Sequence, residues 1–298
     1  ATPDTVYTAR GLRQCSLTVH ISTKPNRSHV VHGEKALILP CLGRTEVDVR
    51  PGGEQFVSCE NSMGVVQMSK GVLEPASEHL RSEVAIICGL ASRVLTPLSR
   101  GEGPGEREGA RTQVRWTDLA RDYDRIRDAI AACVPGFERY NERVREPAGF
   151  YLPNGPRNRR FATDDGKAHF SVSELSHHEL AEDEYLMMTV RSHDQYNTTI
   201  YGMDDRYRGI HNERRIVMMN EADMVTAGLV AGAKVDLTSE YDGEVRHARL
   251  FQVVPYPIPA GNVETYFPEA NTLVPITRTA RGSNTPISKS VRVRITSR

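Results

Sequence analysis

The chain of 298 residues lacks most features that would settle its class at once. Its 38 Lys and Arg balance its 38 Asp and Glu, so nothing in its net charge points to nucleic acid or an anionic membrane as partner. No apolar run approaches the ~20 residues of a membrane span, and no basic-led apolar segment stands at the start as a secretory signal would. Cysteine is sparse, odd in number and widely spaced, at Cys15, Cys41, Cys59, Cys88 and Cys133. Without a CxxC pair, no zinc or iron–sulfur site is expected from these residues. The apolar settings Ile86-Ile87-Cys88 and Ala131-Ala132-Cys133 read as buried reduced thiols, which points to a reducing, cytoplasmic compartment. Glycine-rich phosphate fingerprints are missing, as are Ser-His-Asp and Cys-His arrangements, and the carboxylates are scattered, so no catalytic residue can be named. With 39% hydrophobic residues and one Trp, what remains is a globular chain with polar groups inside it.

The pattern changes along the chain. Leu17 to Ile21 alternates like a strand and is reached within a few residues of Ala1, which reads as a chain entered part-way. Ala36-Leu37-Ile38-Leu39, closed by Pro40, has the continuous apolar character of a buried parallel strand. Residues 76–98 read as a helix capped by Ser77, and Arg100 to Gly109 as a flexible Gly-rich loop. A second helix is expected from Trp116 to Cys133 with Thr117 as cap, and a short one from Phe137 to Val144. From about residue 168 short strands take over: His169–Val172, Tyr185–Thr189, Arg215–Met219, Lys234–Ser239, His247–Val254 and Val291–Ile295, with one short helix from Glu221 to Gly228. The reading is therefore an α/β region over 1–150, a linker over 151–168 and a β domain over 169–298. An α/β region cut short would show an open sheet edge or exposed apolar side chains.

Three polar clusters exceed what surface loops need. Thr189, Arg191, Ser192, His193, Gln195, Tyr196, Asn197 and Thr198 follow an apolar strand, where side chains gather at a rim. Arg191 offers a planar fork suited to phosphate or a carbonyl edge. Tyr266 and Asn271 stand in a second cluster, and Lys289 precedes the last strand. Lys24, Asn26 and Arg27 lie in a polar loop that could cradle a diphosphate, though without glycine. The first two clusters and Lys289 are expected to converge on one face of the β domain, as a large polar ligand requires. The His177-His178 pair among acidic residues reads as a solvated loop, and Met187-Met188 and Met218-Met219 as core filling.

The order of several blocks carries a resemblance: Leu37 to Glu46, Gly71 to Pro75, Leu80 to Glu83, Gly166-Lys167-Ala168 and Ala280 to Pro286. With the polar clusters, they resemble the C-terminal part of molybdopterin oxidoreductases, the dimethyl-sulfoxide-reductase superfamily, and within it the formate-dehydrogenase-like alpha subunits. The resemblance implies a partial open α/β sheet followed by a six-stranded double-psi β-barrel. It implies binding of bis-molybdopterin guanine dinucleotide with molybdenum and two-electron chemistry, with formate as a candidate substrate. The clusters above, Lys289 and the Lys24 loop would be its contacts. Any 4Fe–4S cluster and the molybdenum ligand would lie in a missing N-terminal part. Partners would be that remainder, a small-molecule substrate and an electron-transfer protein. The alternative is a non-catalytic nucleotide-binding or docking module, which would be a stable apo-protein of this size.

Overall fold

The computed structural model describes residues 2–95, 114–175, 177–196 and 201–298. The Gly-rich stretch from Arg100 to Gly109 lies outside them. In chain order the first elements are α1 (Thr5–Arg13), β1 (Leu17–Ser22), β2 (Lys35–Pro40), β3 (Asp48–Arg50), β4 (Gly53–Gln55), β5 (Val57–Glu60), β6 (Val65–Ser69) and α2 (Glu83–Val94). There follow α3 (Trp116–Arg121), α4 (Asp124–Cys133), α5 (Tyr140–Arg143), β7 (Phe150–Tyr151), β8 (Glu184–Val190), β9 (Ile216–Met219) and α6 (Glu221–Thr226). The last are β10 (Lys234–Tyr241), β11 (Glu244–Pro255), β12 (Asn262–Tyr266) and β13 (Val291–Ser297). The chain forms two compact units, one of Ala1–Thr18, Arg27–Ala36 and Glu174–Arg298, the other of Val19–Asn26 and Leu37–Ser173.

The first unit is built on a closed six-stranded barrel in the order β10-β11-β9-β12-β8-β13. It is mixed: β11 runs parallel to β9 and β12 parallel to β8, while the other four pairings are antiparallel. Alternation places Val235 and Leu237, Val253, Val263, Met187, Val291 and Val293 in the interior, with Phe251 among them. All four residues of β9 are buried, because both of its faces are covered. Val217 and Met219 face the interior cluster, while Ile216 and Met218 pack with Ile210 and Tyr266 in a second one. The α6 helix is capped by Asn220, whose side chain accepts from the Ala222 N–H, and ends before Gly228 at φ +66°, a left-handed position that glycine takes without strain.

The start of the chain belongs to this unit. Asp4 is almost fully buried, and its carboxylate receives Arg246 Nε at 2.9 Å and Nη2 at 2.7 Å. The Asp4 N–H in turn donates to the Asn271 carbonyl at 2.9 Å.

The second unit is more loosely clothed. The sheet β5-β6-β7 packs against helical residues through Phe56, Val66, Tyr140, Val144 and Phe150. Arg127 is buried beside it, 3.9 Å above the Phe56 ring, and donates to the Phe56 carbonyl and to Asn141 while pairing with Asp124. Tyr123 Oη is bonded to Asp48 and Ser82, and burial, with Asp48 beside it, pushes its pKa up to about 12. Elsewhere in this unit large apolar side chains face outward: Ile38 is 51% exposed, Leu90 55%, Val94 69% and Val72 81%.

Several expectations need correction. Ala36–Leu39 is not a buried parallel strand; β2 pairs with β1 in a two-stranded sheet and is exposed over most of its length. The first long helix is only α2, capped by Ser82 rather than Ser77, because Ser82 takes the extended conformation and its Oγ accepts from the Ala85 N–H. The helix from Trp116 to Cys133 is broken. Asp122 turns extended, ends α3, and accepts from the Asp124 N–H to start α4. His169–Val172 forms no strand, and Phe170 and Val172 are almost fully exposed. The strand β12 went unread.

Candidate functional site

The barrel strands deliver the polar clusters to one place. β8 ends at Val190 and leads into Arg191–Tyr196, while its parallel neighbour β12 ends at Tyr266 and leads into Phe267. Parallel pairing makes these two exits adjacent. The segment before β13 joins them, since Thr189 donates through both N–H and Oγ1 to the Ser288 carbonyl, at 3.0 and 3.1 Å. The next residue, Lys289, donates from Nζ to the Thr189 carbonyl.

Two cations meet over one ring here. The Arg191 guanidinium and the Lys289 ammonium each lie 5.9 Å from the centre of the half-buried Phe267 ring. Desolvation lowers the Lys289 pKa and the nearby Arg191 charge lowers it further, against a smaller opposing effect of Glu264. Two like charges held this close favour an anion or a carbonyl edge between them.

Beneath them lies an internal polar frame. Ser192 and Gln195 are buried, and the Gln195 Oε1 accepts from the Ser192 N–H at 2.9 Å and Oγ at 3.1 Å. Gln195 Nε2 donates to the Phe267 carbonyl at 2.7 Å, tying the first cluster to the second. The His193 N–H donates to Asp205, and its ring packs on Tyr207 with centroids 3.8 Å apart. Asp205 also accepts from Tyr266 Oη at 2.7 Å and from Arg208 Nη1 at 2.7 Å. Burial alone would raise the Asp205 pKa. The hydrogen bonds from Tyr266, Arg208 and the His193 N–H outweigh it and hold the carboxyl at about 2.

Each residue singled out in the sequence now has a location. Thr189, Arg191, Ser192, Gln195 and Lys289 gather near Phe267, and His193 lies next to them on Asp205 and Tyr207. Tyr196 is exposed at the edge of this group. Asn197 and Thr198 lie outside the described residues. Tyr266 is buried with its hydroxyl committed to Asp205, and Asn271 is buried in a 3-10 turn, Glu269–Leu273, with its carbonyl taken by Asp4. Tyr266 thereby supports, through Asp205, the backbone of His193 from within. Lys24 and Asn26 fall in the other compact unit, while Arg27, in the unit of the barrel, opens a 3-10 turn. Sequence reasoning missed Asp205, Arg208 and Arg214, and gave Phe267 and Glu269, within its second cluster, no role of their own. The stretch Tyr201 to Arg215 is crowded with charges and glycine and reads as a surface loop. Only the fully apolar strand after it hints that something must cover that face.

Residues 185–292 match the family model described as molydopterin dinucleotide binding domain. Over 301 residues, 99% of this chain, the sequence is 52% identical to an uncharacterized oxidoreductase of Mycobacterium tuberculosis, of which it covers 37%. It is 40% identical over 305 residues to protein YdeP of Escherichia coli, covering 99% of this chain and 38% of that protein. The chain thus spans little more than a third of the length of these curated relatives. Among solved structures, the acetylene hydratase from Pelobacter acetylenicus shares the fold with a TM-score of 0.56 at 13% identity, over 99% of this chain and 42% of that one.

Proposed function

We infer the function from one premise: the chain belongs to the molybdopterin oxidoreductases, and residues 185–292 are their molydopterin dinucleotide binding domain. On that premise the barrel rim holds a pterin dinucleotide, and the whole protein is a molybdenum-dependent oxidoreductase that carries bis-molybdopterin guanine dinucleotide. The observation that carries this is the pairing of Arg191 and Lys289 across the Phe267 ring, inside the matched domain. The donors present fit such a group. A guanidinium fork and an ammonium suit phosphate oxygens or the carbonyl edge of a heterocycle, and Phe267 offers an apolar face beside them. The bound group would supply two-electron redox chemistry at molybdenum; the protein binds and orients it.

Within this reading Arg191 and Lys289 anchor the ligand, His193 and Tyr196 stand at its edge, and Thr189 fixes the Lys289 amine. Formate is the substrate proposed, in keeping with the resemblance to formate-dehydrogenase-like subunits. A 4Fe–4S cluster, the metal ligand and the docking site of an electron-transfer partner are assigned to parts of the whole protein outside these residues. Among the described residues no group of three or more His, Cys, Asp or Glu is placed to hold a metal ion, and no helix is long and apolar enough to cross a membrane. The outward-facing apolar side chains of the second unit, Ile38, Val72, Leu90 and Val94 among them, would be covered by the remainder of the same protein. The relatives' oxidoreductase name favours an enzyme over a stand-alone binding module.

The test uses the full-length protein. Arg191→Gln and Lys289→Gln, separately and together, should lower bound molybdenum and the fluorescence of the released, oxidised pterin at least about tenfold in the double variant. A folded double variant with wild-type pterin content would rule the rim out as the binding site.

A further inference from the structure

Arg214 stands just before β9, in a sequence position that reads as solvent-facing, yet it is only 3% exposed. Its guanidinium makes contacts in three directions. Nε and Nη2 form a bidentate pair with the Glu269 carboxylate, at 2.9 and 3.1 Å. Nη1 donates to Ser192 Oγ at 2.7 Å, and Nη2 donates to Gln195 Oε1 and to the Phe267 carbonyl, both at 3.0 Å. The Gly202 carbonyl lies 3.4 Å from Nη1, and the plane rests 4.2 Å from the Tyr201 ring and 5.1 Å from the Tyr266 ring. Every acceptor belongs to a segment that frames the rim: 192–195 after β8, 202 in the covering loop, and 267–269 after β12.

None of these contacts involves the Arg191 guanidinium or the Lys289 ammonium, which lie against the Phe267 ring. Only a planar fork with five donors can reach carboxylate, amide, hydroxyl and two carbonyls at once, so lysine cannot reproduce it. Burying such a charge is costly, and its full set of partners offsets that cost. A surface loop would not need so demanding a fastening. A rim that must hold two cations against one ring would, because repulsion between Arg191 and Lys289 pushes Arg191 away from Phe267.

We propose that Arg214, paired with Glu269, is a positioning residue. It locks the segment after β8, which carries Arg191, to Phe267, the ring against which Lys289 also lies, so that the two cations are held at the separation that grips one anionic group. This rests on the anion-binding reading of the rim given above. Arg214 touches no ligand itself. Its contribution to binding passes through the two cations.

The experiment measures equilibrium binding of inorganic pyrophosphate to the full-length protein, prepared from cells unable to make the pterin so that the rim is open. Four proteins are compared: wild type, R191Q, R214K and R191Q/R214K, each checked for folding by near-ultraviolet circular dichroism. R191Q should weaken binding about tenfold or more, and R214K also about tenfold with Arg191 still present. In the double variant the second change should add less than about threefold, because a residue that acts through Arg191 loses most of its effect once Arg191 is gone. Wild-type affinity in R214K, or losses that multiply in the double variant, overturns the positioning role while leaving the rim as an anion site. Wild-type affinity in R191Q overturns the rim reading and takes this proposal with it. If R214K does not fold, E269Q replaces it. That variant keeps the guanidinium and its Ser192, Gln195 and Phe267 acceptors but removes its counter-charge, and should weaken binding about threefold, again without multiplying with R191Q. Unchanged binding in E269Q counts against the proposal as wild-type affinity in R214K would.

Discussion

The two compact units treat their apolar residues in opposite ways. The barrel unit gathers Met187, Val217, Leu237, Phe251, Val263 and Val293 into an interior sealed by closed pairing, with no strand edge left over in the barrel. The second unit has a smaller cluster around Phe56, Tyr140 and Phe150, and turns Leu90, Val94 and Val72 outward. Its polar interior is carried instead by individual residues, Arg127 and Tyr123, that each tie several segments. The difference teaches that a similar density of apolar residues in sequence can serve two ends. One unit satisfies its own surface, and the other presents a surface that is finished by something else.

The sharpest way to break this comparison is to open the barrel interior. Phe251→Ala should cost about 3–5 kcal/mol in urea unfolding followed by intrinsic fluorescence, since a buried ring in closed packing leaves a cavity. A loss below about 1 kcal/mol would mean that the barrel interior is not tightly packed. Tyr266→Phe should cost about 1–3 kcal/mol, because Asp205 keeps its burial and loses a donor.

Acid should act through Asp205. Its folded pKa of about 2 lies below its ordinary 3.8, so the stabilisation is present above about pH 4 and is lost as pH falls toward 2. The loss amounts to about 2 kcal/mol, and Asp205→Asn should remove that acid limb from a stability-against-pH curve. In the second unit the sign reverses at Tyr123. Its pKa is raised from 10.0 to about 12, so the stabilisation holds below pH 10 and fades as pH rises toward 12. Tyr123→Phe should flatten that alkaline limb, read from thermal melts between pH 9 and 12.

The smallest effect is expected at the outward face of α2. Leu90→Ser or Val94→Ser should move the stability of these 298 residues alone by no more than about 0.5 kcal/mol. In the full-length protein the same changes should cost about 1–3 kcal/mol each if the face is covered there. Equal, negligible costs in both would mean that nothing covers it.

How much of this could be read from the sequence depended on whether a residue's neighbours in the chain were also its neighbours in space. The barrel strands β8, β10, β11 and β13 announced themselves by alternation, because one face of each strand looks inward. β12 did not, since Asn262-Val263-Glu264-Thr265-Tyr266 mixes polar and apolar residues and its Tyr266 packs on the outer cluster. The apolar run of β2 was over-read: continuous apolarity marks burial only where a second layer is present. The break at Asp122 hides inside a good helical stripe, as the residue that ends α3 also starts α4. In the candidate site, Arg191 and Lys289 were legible as donors at strand ends. Arg214 and Asp205 were not, because a charge buried by distant partners looks in sequence like any charge on a loop.

The bond between Asp4 and Arg246 joins residues separated by 242 positions. The domain whose family model covers residues 185–292 therefore takes one fastening from a residue well outside the matched stretch. A ribosome delivers Asp4 before Arg246, and that carboxylate must stay in water while everything between it and its guanidinium is made. Any piece trimmed to the matched residues would keep Arg246, nine-tenths buried, and leave it with the exposed Glu244 carboxylate but without the buried one of Asp4. The boundary that evolution copies and the boundary at which this barrel is complete are not the same.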